Sequence, residues 1–237
     1  MTLKALIFDV DGTIVDSEKD GHMAACNEAF ATLGFDIRWT WAQFSPLLTM
    51  PGNRQRMRLA LSQRYPEMGA AELDETAVRL FALKKQLFIE KYIYRVPVRD
   101  GVVALIEEAL AHNLKLAIVT MSHEAQVKAL LAHHLPDYAD HFWPILGKPT
   151  GAKTAPDAPL HRLCLAKLGL APTETLMIED SAVGCQAAQR AGIPCAVFYN
   201  DYTYGEDFRG AALVARSLAY FDLEHLAHLC LPGDHQA

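Results

Sequence analysis

The chain has no excess of positive charge: 22 Lys and Arg stand against 28 Asp and Glu, for a formal net charge of −6. A nucleic-acid binder needs a basic stripe to meet phosphates, so that class is set aside. Cysteine is scarce and unpatterned. Cys26, Cys164, Cys185, Cys195 and Cys230 are odd in number and lack metal-ligand spacing, which argues against a disulfide framework and a zinc motif. They read as small buried hydrophobes in a reducing compartment. No apolar run is long enough to span a bilayer. No leader pattern precedes the first apolar run, no repeat recurs, and no segment is of low complexity. The expectation is a cytoplasmic soluble protein with no membrane or nucleic-acid partner. Its 237 residues suffice for one large domain or two small ones.

What is present is organised around Leu6-Ile7-Phe8-Asp9-Val10-Asp11-Gly12-Thr13. A short β-rich apolar run stops at two carboxylates one residue apart. In a strand, residues i and i+2 face the same side, which puts Asp9 and Asp11 near each other at its carboxyl end. Close carboxylates repel, and burying either one unpaired is costly. A divalent cation resolves the conflict, and all-oxygen ligands favour Mg²⁺ over zinc. The same residues also read as a strand ending in an Asp-Gly turn, so the remainder of the chain must decide.

Residues 16–96 contain no convincing strand. Helices are predicted over 21–33, closed by Gly34; over 53–65, from an Asn53 N-cap; and over 71–94, where Leu73, Ala77, Leu80, Leu83 and Leu87 share a stripe. Pro97 and Gly101 end this all-helical insert. Strands at 114–119, 175–178, 194–198 and near 212–214 then alternate with helices at 102–110, 125–134, 160–168, 181–191 and 222–229. Residues 135–159 read as an irregular loop rich in Pro and Gly, and the tail from Pro232 as frayed. The alternation predicts an α/β fold, a Rossmann-like parallel sheet core in three αβα layers. Residues 1–15 and 97–237 would form it, with 16–96 as an inserted helical domain.

Ligands of such sheets bind at the carboxyl ends of the strands. Four pieces fall there: Asp9 and Asp11; Thr120, followed by Met121 and Ser122; Lys153 in the long loop; and Glu179-Asp180-Ser181. Each alone has a plain reading, as a strand-end threonine, a solvated lysine or the N-terminal charge of a helix. Together, in this order, they suit phosphoryl transfer, in which a metal and a lysine neutralise phosphate charge while a carboxylate attacks.

At these residues the chain resembles the haloacid dehalogenase superfamily of aspartyl-phosphate enzymes. Asp9-Val10-Asp11-Gly12-Thr13 matches its DxDGT motif, Thr120 the second motif, Lys153 the third and Glu179-Asp180 the fourth. The insert resembles the cap of subfamily I. Phe8 to Glu18 and Ile178 to Gly192 are most similar to the β-phosphoglucomutase-like and sugar-phosphate phosphatase branch. The resemblance implies Asp9 as nucleophile and Asp11 as general acid and base. It implies Mg²⁺ held by the Asp9 carboxylate, the Asp11 carbonyl and Asp180, with Glu179 as a further ligand or acting through water. Thr120 and Lys153 would hold the phosphoryl group, with Thr13, Met121 and Ser122 on the substrate side. Lys148-Pro149 imitates the lysine–proline pair of the third motif, whereas threonine follows Lys153. In the cap, His22, Arg54, Arg56 and Lys84 are candidates for the rest of the substrate. The implied activity is Mg²⁺-dependent hydrolysis of a small sugar phosphate. A sugar phosphomutase shares every catalytic residue, and a non-enzymatic receiver-like module also combines aspartates, hydroxyl and lysine on a parallel sheet.

Overall fold

Residues 2–50 and 52–230 are described in a computed structural model of the chain. The chain opens with strand β1 (Ala5–Phe8), whose four side chains are all fully buried. Burial on both faces is what the centre of a parallel sheet demands, and it explains a run of four apolar residues without alternation. Helices α1 (Ala24–Thr32), α2 (Trp41–Phe44), α3 (Asn53–Arg64) and α4 (Ala70–Leu87) follow, with no strand between them among the described residues. Short π and 3₁₀ turns extend several of their ends. The chain then alternates: α5 (Val102–Ala111), β2 (Lys115–His123), α6 (Glu124–His134), β3 (Phe142–Lys148), α7 (Pro159–Leu168), β4 (Thr175–Glu179), α8 (Ala182–Arg190), β5 (Cys195–Phe198), β6 (Leu213–Ala215) and α9 (Leu223–His228). No helix among the described residues is long and apolar enough to cross a membrane.

The six strands form one parallel sheet in the order β3-β2-β1-β4-β5-β6. Strand order reverses at β1, which lies between β2 and β4, so the crevice of this Rossmann-like sheet opens at the carboxyl end of β1. Register is fixed there: Phe8 lies beside Ile118 of β2 and Ile178 of β4. One face of the sheet packs Ile7, Ala117, Val119, Met177 and Val197 against Leu160, Cys164, Leu168 and Ala188 of α7 and α8. All five cysteines are buried and free.

The chain divides into two compact units, Met1–Asp16 with Pro97–Ala237, and Ser17–Val96. The second unit has its own core of Phe30, Phe44, Met57, Leu61, Leu73 and Leu80. The two connecting stretches, both in the first unit, are tied to each other. Asp16 donates its amide to the Pro97 carbonyl at 3.0 Å, Arg99 to that of Ile14 at 2.9 Å, and Val15 bridges to Val98.

Several details differ from the sequence reading. The irregular stretch 135–159 contains β3, an edge strand whose Pro144 and Gly147 disguise it. An edge strand tolerates proline because one side of it needs no donor. Gly147 is needed for close approach, since a Cβ there would overlap the Ser122 carbonyl of β2. Strand β2 runs on through Thr120 to His123 rather than stopping at Val119. Helix α3 is capped by Gly52 at φ 86°, and Asn53 is its first residue rather than its cap. The tail from Pro232 lies outside the described residues.

Candidate active site

The sheet register gathers the charged residues. Asp9 follows β1, donates its amide to the Ile178 carbonyl at 3.0 Å, and so lies level with Glu179, the last residue of β4. Thr120 lies beyond Val119 on the neighbouring β2. Asp9, Thr120, Lys153, Glu179 and Asp180 are all buried.

Lys153 joins the acidic groups. Its Nζ lies 2.8 Å from Asp9 Oδ1 and donates to Glu179 Oε1. Lys148, by contrast, is exposed on β3, so Lys153 is the lysine at the site. Glu179 is fully buried, and its other oxygen accepts the Asp180 amide at 3.1 Å and the Ser181 hydroxyl at 3.2 Å. Both Glu179 oxygens are therefore engaged, which makes it the residue that orients Lys153 and the turn into α8. Helix α8 starts at this turn because Ser181 Oγ accepts the Gly184 amide at 3.3 Å. A Cβ on Gly184 would overlap the Glu179 carboxylate.

Asp180 accepts from Thr13 Oγ1 at 3.3 Å and from Asn200 Nδ2 at 2.8 Å. Gly12, at φ 85°, packs against it so closely that a Cβ would overlap the carboxylate. The glycine of the DxDGT motif is thus required twice, for its dihedral and for this approach. The Asp11 Oδ2 accepts the Ser122 hydroxyl. Four converging carboxylates were expected. Asp9, Glu179 and Asp180 converge, each with an oxygen within 4.8 Å of the others, and the Asp11 carboxylate lies outside that group. Ser122, expected on the substrate side, holds Asp11. The Thr120 hydroxyl accepts the Ser122 amide at 3.2 Å, and Met121 is half-buried between them.

The electrostatics follow from burial. Desolvation pushes Asp9 up to about 7, with Lys153 pulling it down and Glu179 adding to the rise. Burial, then Glu179 and Asp9, hold Asp180 well above the usual carboxylate range. Burial alone would lower Lys153, but Asp9 and Glu179 outweigh it and keep the ammonium above its ordinary value. One lysine thus faces three buried acids. Asp9 Oδ1, although ion-paired, has no aligned hydrogen bond. Oxygen-only donors, surplus negative charge and a buried under-coordinated oxygen fit a hard divalent cation held by Asp9 and Asp180, with the Asp11 carbonyl as the third protein donor that the resemblance implies.

In the second unit, His22 and Lys84 are both buried, with Nδ1 and Nζ 2.7 Å apart. The Phe88 ring lies 4.4 Å from the His22 ring and 4.9 Å from the Lys84 ammonium. Arg56 is also buried. Its guanidinium donates to the carbonyls of Leu47 at 2.9 Å, Met50 at 3.0 Å and Leu48 at 3.2 Å, and to Asn53 Oδ1 at 3.0 Å. That occupation gives Arg56 the shaping of its own loop rather than a free hand for substrate. Arg54 is exposed and has no side-chain hydrogen bond among the described residues. Glu18 Oε2 is buried without a hydrogen-bond partner among them.

Asn200 was not anticipated. It follows β5, so the strand-end rule that located Thr120 and Asp180 points to it too, but an isolated asparagine in a Tyr-Asn-Asp turn carries no motif. Arg99 was hidden among the residues that close the insert.

A β1 aspartate paired with a buried lysine, a second acid from β4 and a helical insert directly after the first motif define an aspartate-based hydrolase site. Residues 6–198 match the model of the haloacid dehalogenase-like hydrolase family, and the chain belongs to that family. It is 36% identical over 215 residues to the plasmid-encoded protein CbbY of Cupriavidus necator, covering 90% of this chain and 84% of that one. It is 34% identical over 218 residues to a CBBY-like protein of Arabidopsis thaliana, covering 89% of this chain and 67% of the relative. Its fold superposes with a TM-score of 0.80, at 30% identity over 94% of this chain and 99% of that one, on a CbbY mutant from Rhodobacter sphaeroides in complex with xylulose-(1,5)bisphosphate.

Two outcomes are expected. Gly184→Ala favours the helix by propensity yet forces the Glu179 carboxylate off Lys153, so kcat should fall ~10-fold or more while the far-UV spectrum is unchanged. Wild-type kcat in this variant would remove Glu179 from its orienting role. The second concerns pH. Asp9 binds its proton more tightly folded than unfolded, so its contribution to metal-free stability is complete below its unfolded value of 3.8 and is lost as pH rises through about 7. A cation relieves that loss, so Mg²⁺ should raise Tm more at about pH 8 than at about pH 5.5. Equal shifts in calorimetry at both values would contradict the electrostatic account.

Proposed function

We propose that this protein is a Mg²⁺-dependent phosphatase of a small sugar phosphate, working through an aspartyl-phosphate. The observation that carries the reading is a buried Asp9 at the carboxyl end of β1, paired to Lys153 and accompanied by Asp180. An Asp9 oxygen attacks phosphorus and the bond to the leaving oxygen breaks, with Asp11 giving that oxygen a proton. Water then attacks phosphorus, Asp11 takes its proton, and the Asp9 carboxylate and inorganic phosphate are released. Ser122 holds Asp11 for both transfers. Lys153 and Thr120 face the transferring phosphoryl group, Lys153 neutralising charge on its oxygens. Asp9, Asp180 and the Asp11 carbonyl would hold Mg²⁺, which when bound offsets the repulsion between the carboxylate and the phosphate.

Support for a sugar phosphate comes from the CbbY structures from Rhodobacter sphaeroides, bound to phosphate and to xylulose-(1,5)bisphosphate. Curated relatives at 29% identity over 215 residues are named phosphoglycolate phosphatase, which also favours hydrolysis over a mutase. Choice among esters falls to groups beyond the phosphoryl site. In the second unit, exposed Arg54 suits a second anionic group in bidentate fashion. The buried His22–Lys84 pair suits a further anion, and the Glu18 oxygen, without a hydrogen-bond partner among the described residues, suits a sugar hydroxyl. Substrates with two phosphates or a hydroxyl-rich end are therefore preferred.

The test is phosphate release from a panel of pentose, pentulose and hexose mono- and bisphosphates, with Mg²⁺ and after exhaustive chelation. Release that requires Mg²⁺, and that Asp9→Asn reduces by at least ~10³-fold, is expected. Full turnover in chelator, near wild-type turnover by Asp9→Asn, or transfer to a sugar hydroxyl without release would each overturn it. For selectivity, Arg54→Ala should lower kcat/KM for the best sugar phosphate by about 10–100-fold, the worth of a charge-assisted hydrogen bond, and largely spare p-nitrophenyl phosphate. Arg56→Ala should instead lower Tm, because it leaves loop carbonyls without their donor. Equal losses on both substrates for Arg54→Ala would end the selectivity reading.

A further inference from the structure

The return from the inserted unit ends in an arginine that reaches the metal-binding turn. Arg99 lies three residues after the boundary at Val96, with its backbone held to Ile14. Its guanidinium serves four carbonyls. Nη1 donates to Gly12 and, at 2.7 Å, to Phe198; Nη2 donates to Tyr199 at 3.3 Å and Arg216 at 3.4 Å. One acceptor is in the DxDGT turn, one is the last residue of β5, one follows β5 and one follows β6. The Gly12 carbonyl takes a second donor, Asn200 Nδ2 at 3.1 Å, and the same nitrogen donates to Asp180 Oδ2 at 2.8 Å.

The chemistry of this arrangement is specific. The Gly12 carbonyl belongs to the peptide unit immediately after that of Asp11. Two donors on one carbonyl restrain the rotation of its peptide group. The Thr13 amide of the same peptide group donates to the Val10 carbonyl at 3.2 Å, and Arg99 and Asn200 hold its carbonyl end. The planar guanidinium, with five donors in a fixed fork, can bridge strand ends that a lysine ammonium cannot bridge together. Asn200 contributes by tying the Gly12 carbonyl to the Asp180 carboxylate through a single nitrogen.

We propose that Arg99 and Asn200 are positioning residues that hold the Asp11–Gly12 backbone and the Asp180 carboxylate in the mutual orientation a divalent cation requires. Neither touches the reacting atoms. Their effect is on cation affinity, and the inference rests on the reading of Asp9, Asp180 and the Asp11 carbonyl as a cation site. Fixing the groups behind metal ligands in this way is typically worth 10–100-fold in affinity.

The experiment is isothermal titration of Mg²⁺ into the purified full chain, wild type and the variants Arg99→Lys, Arg99→Ala and Asn200→Ala, each with its Tm measured without metal. Arg99→Lys and Asn200→Ala are the informative pair if Arg99→Ala does not fold. Folded Arg99→Lys and Asn200→Ala proteins are expected to bind Mg²⁺ ~10-fold or more weakly than wild type. A fall in Tm with unchanged Mg²⁺ affinity would assign both residues to stability alone and overturn the proposal while leaving the cation site intact. Absence of Mg²⁺ binding by the wild type, with turnover retained in chelator, would overturn the cation reading and this proposal together.

Discussion

One buried ammonium sets the terms for this molecule. Lys153 is enclosed with Asp9 and Glu179 where water cannot share the work of stabilising charge. Removing the lysine would leave two buried acids facing each other, and removing either carboxylate would leave the ammonium with one partner in place of two. The surrounding backbone is arranged to keep this trio together. The register of β1 with β4 brings Asp9 level with Glu179, and the loop that carries Lys153 is pinned from outside, with Arg190 donating to the Thr154 carbonyl at 3.2 Å. The charge balance of the trio remains negative once Asp180 is included. The site is built around an incomplete electrostatic match, a mismatch that a bound cation would relieve.

Two kinds of glycine make the arrangement possible. Gly12 and Gly184 are the positions where the backbone itself forms the wall of a carboxylate, against Asp180 and Glu179 respectively. A side chain at either would move an acid by the width of a methyl group, so these residues belong to the chemistry although they bear no functional group. Glu179 likewise acts through others. With one oxygen on Lys153 and the other on the first turn of α8, it transmits the position of a helix to an ammonium.

Much of this was legible in the sequence, and the reason is periodicity. β1 and β4 are continuous apolar runs that stop at carboxylates, so their place in the sheet and the groups at their ends could be read together. Lys153 was legible only through its motif, since a lysine in a loop carries no pattern, and its burial distinguishes it from exposed Lys148. β3 was missed because Pro144 and Gly147 read as loop residues, and an edge strand does not need the pattern of a central one. Ser122 was found at the site but given to the substrate, because which hydroxyl faces which carboxylate depends on β2 running on to His123. Arg56 looked like an anion binder beside a helix start. Its burial against the carbonyls of residues 47–50 could not be inferred from spacing, because a turn's free acceptors exist only once it is folded.

The paired connections between the two units have a topological consequence. Residues 14–16 and 97–99 form a small antiparallel contact within the first unit, so the ends of the inserted segment are brought together by the sheet domain itself. The entropy of closing an eighty-residue loop is therefore met by the host rather than by the guest. A shorter, longer or unrelated segment with adjacent termini satisfies the same boundary condition, which makes this junction a natural splice point for recombination: the stretch between Asp16 and Pro97 can be exchanged without re-registering a single strand.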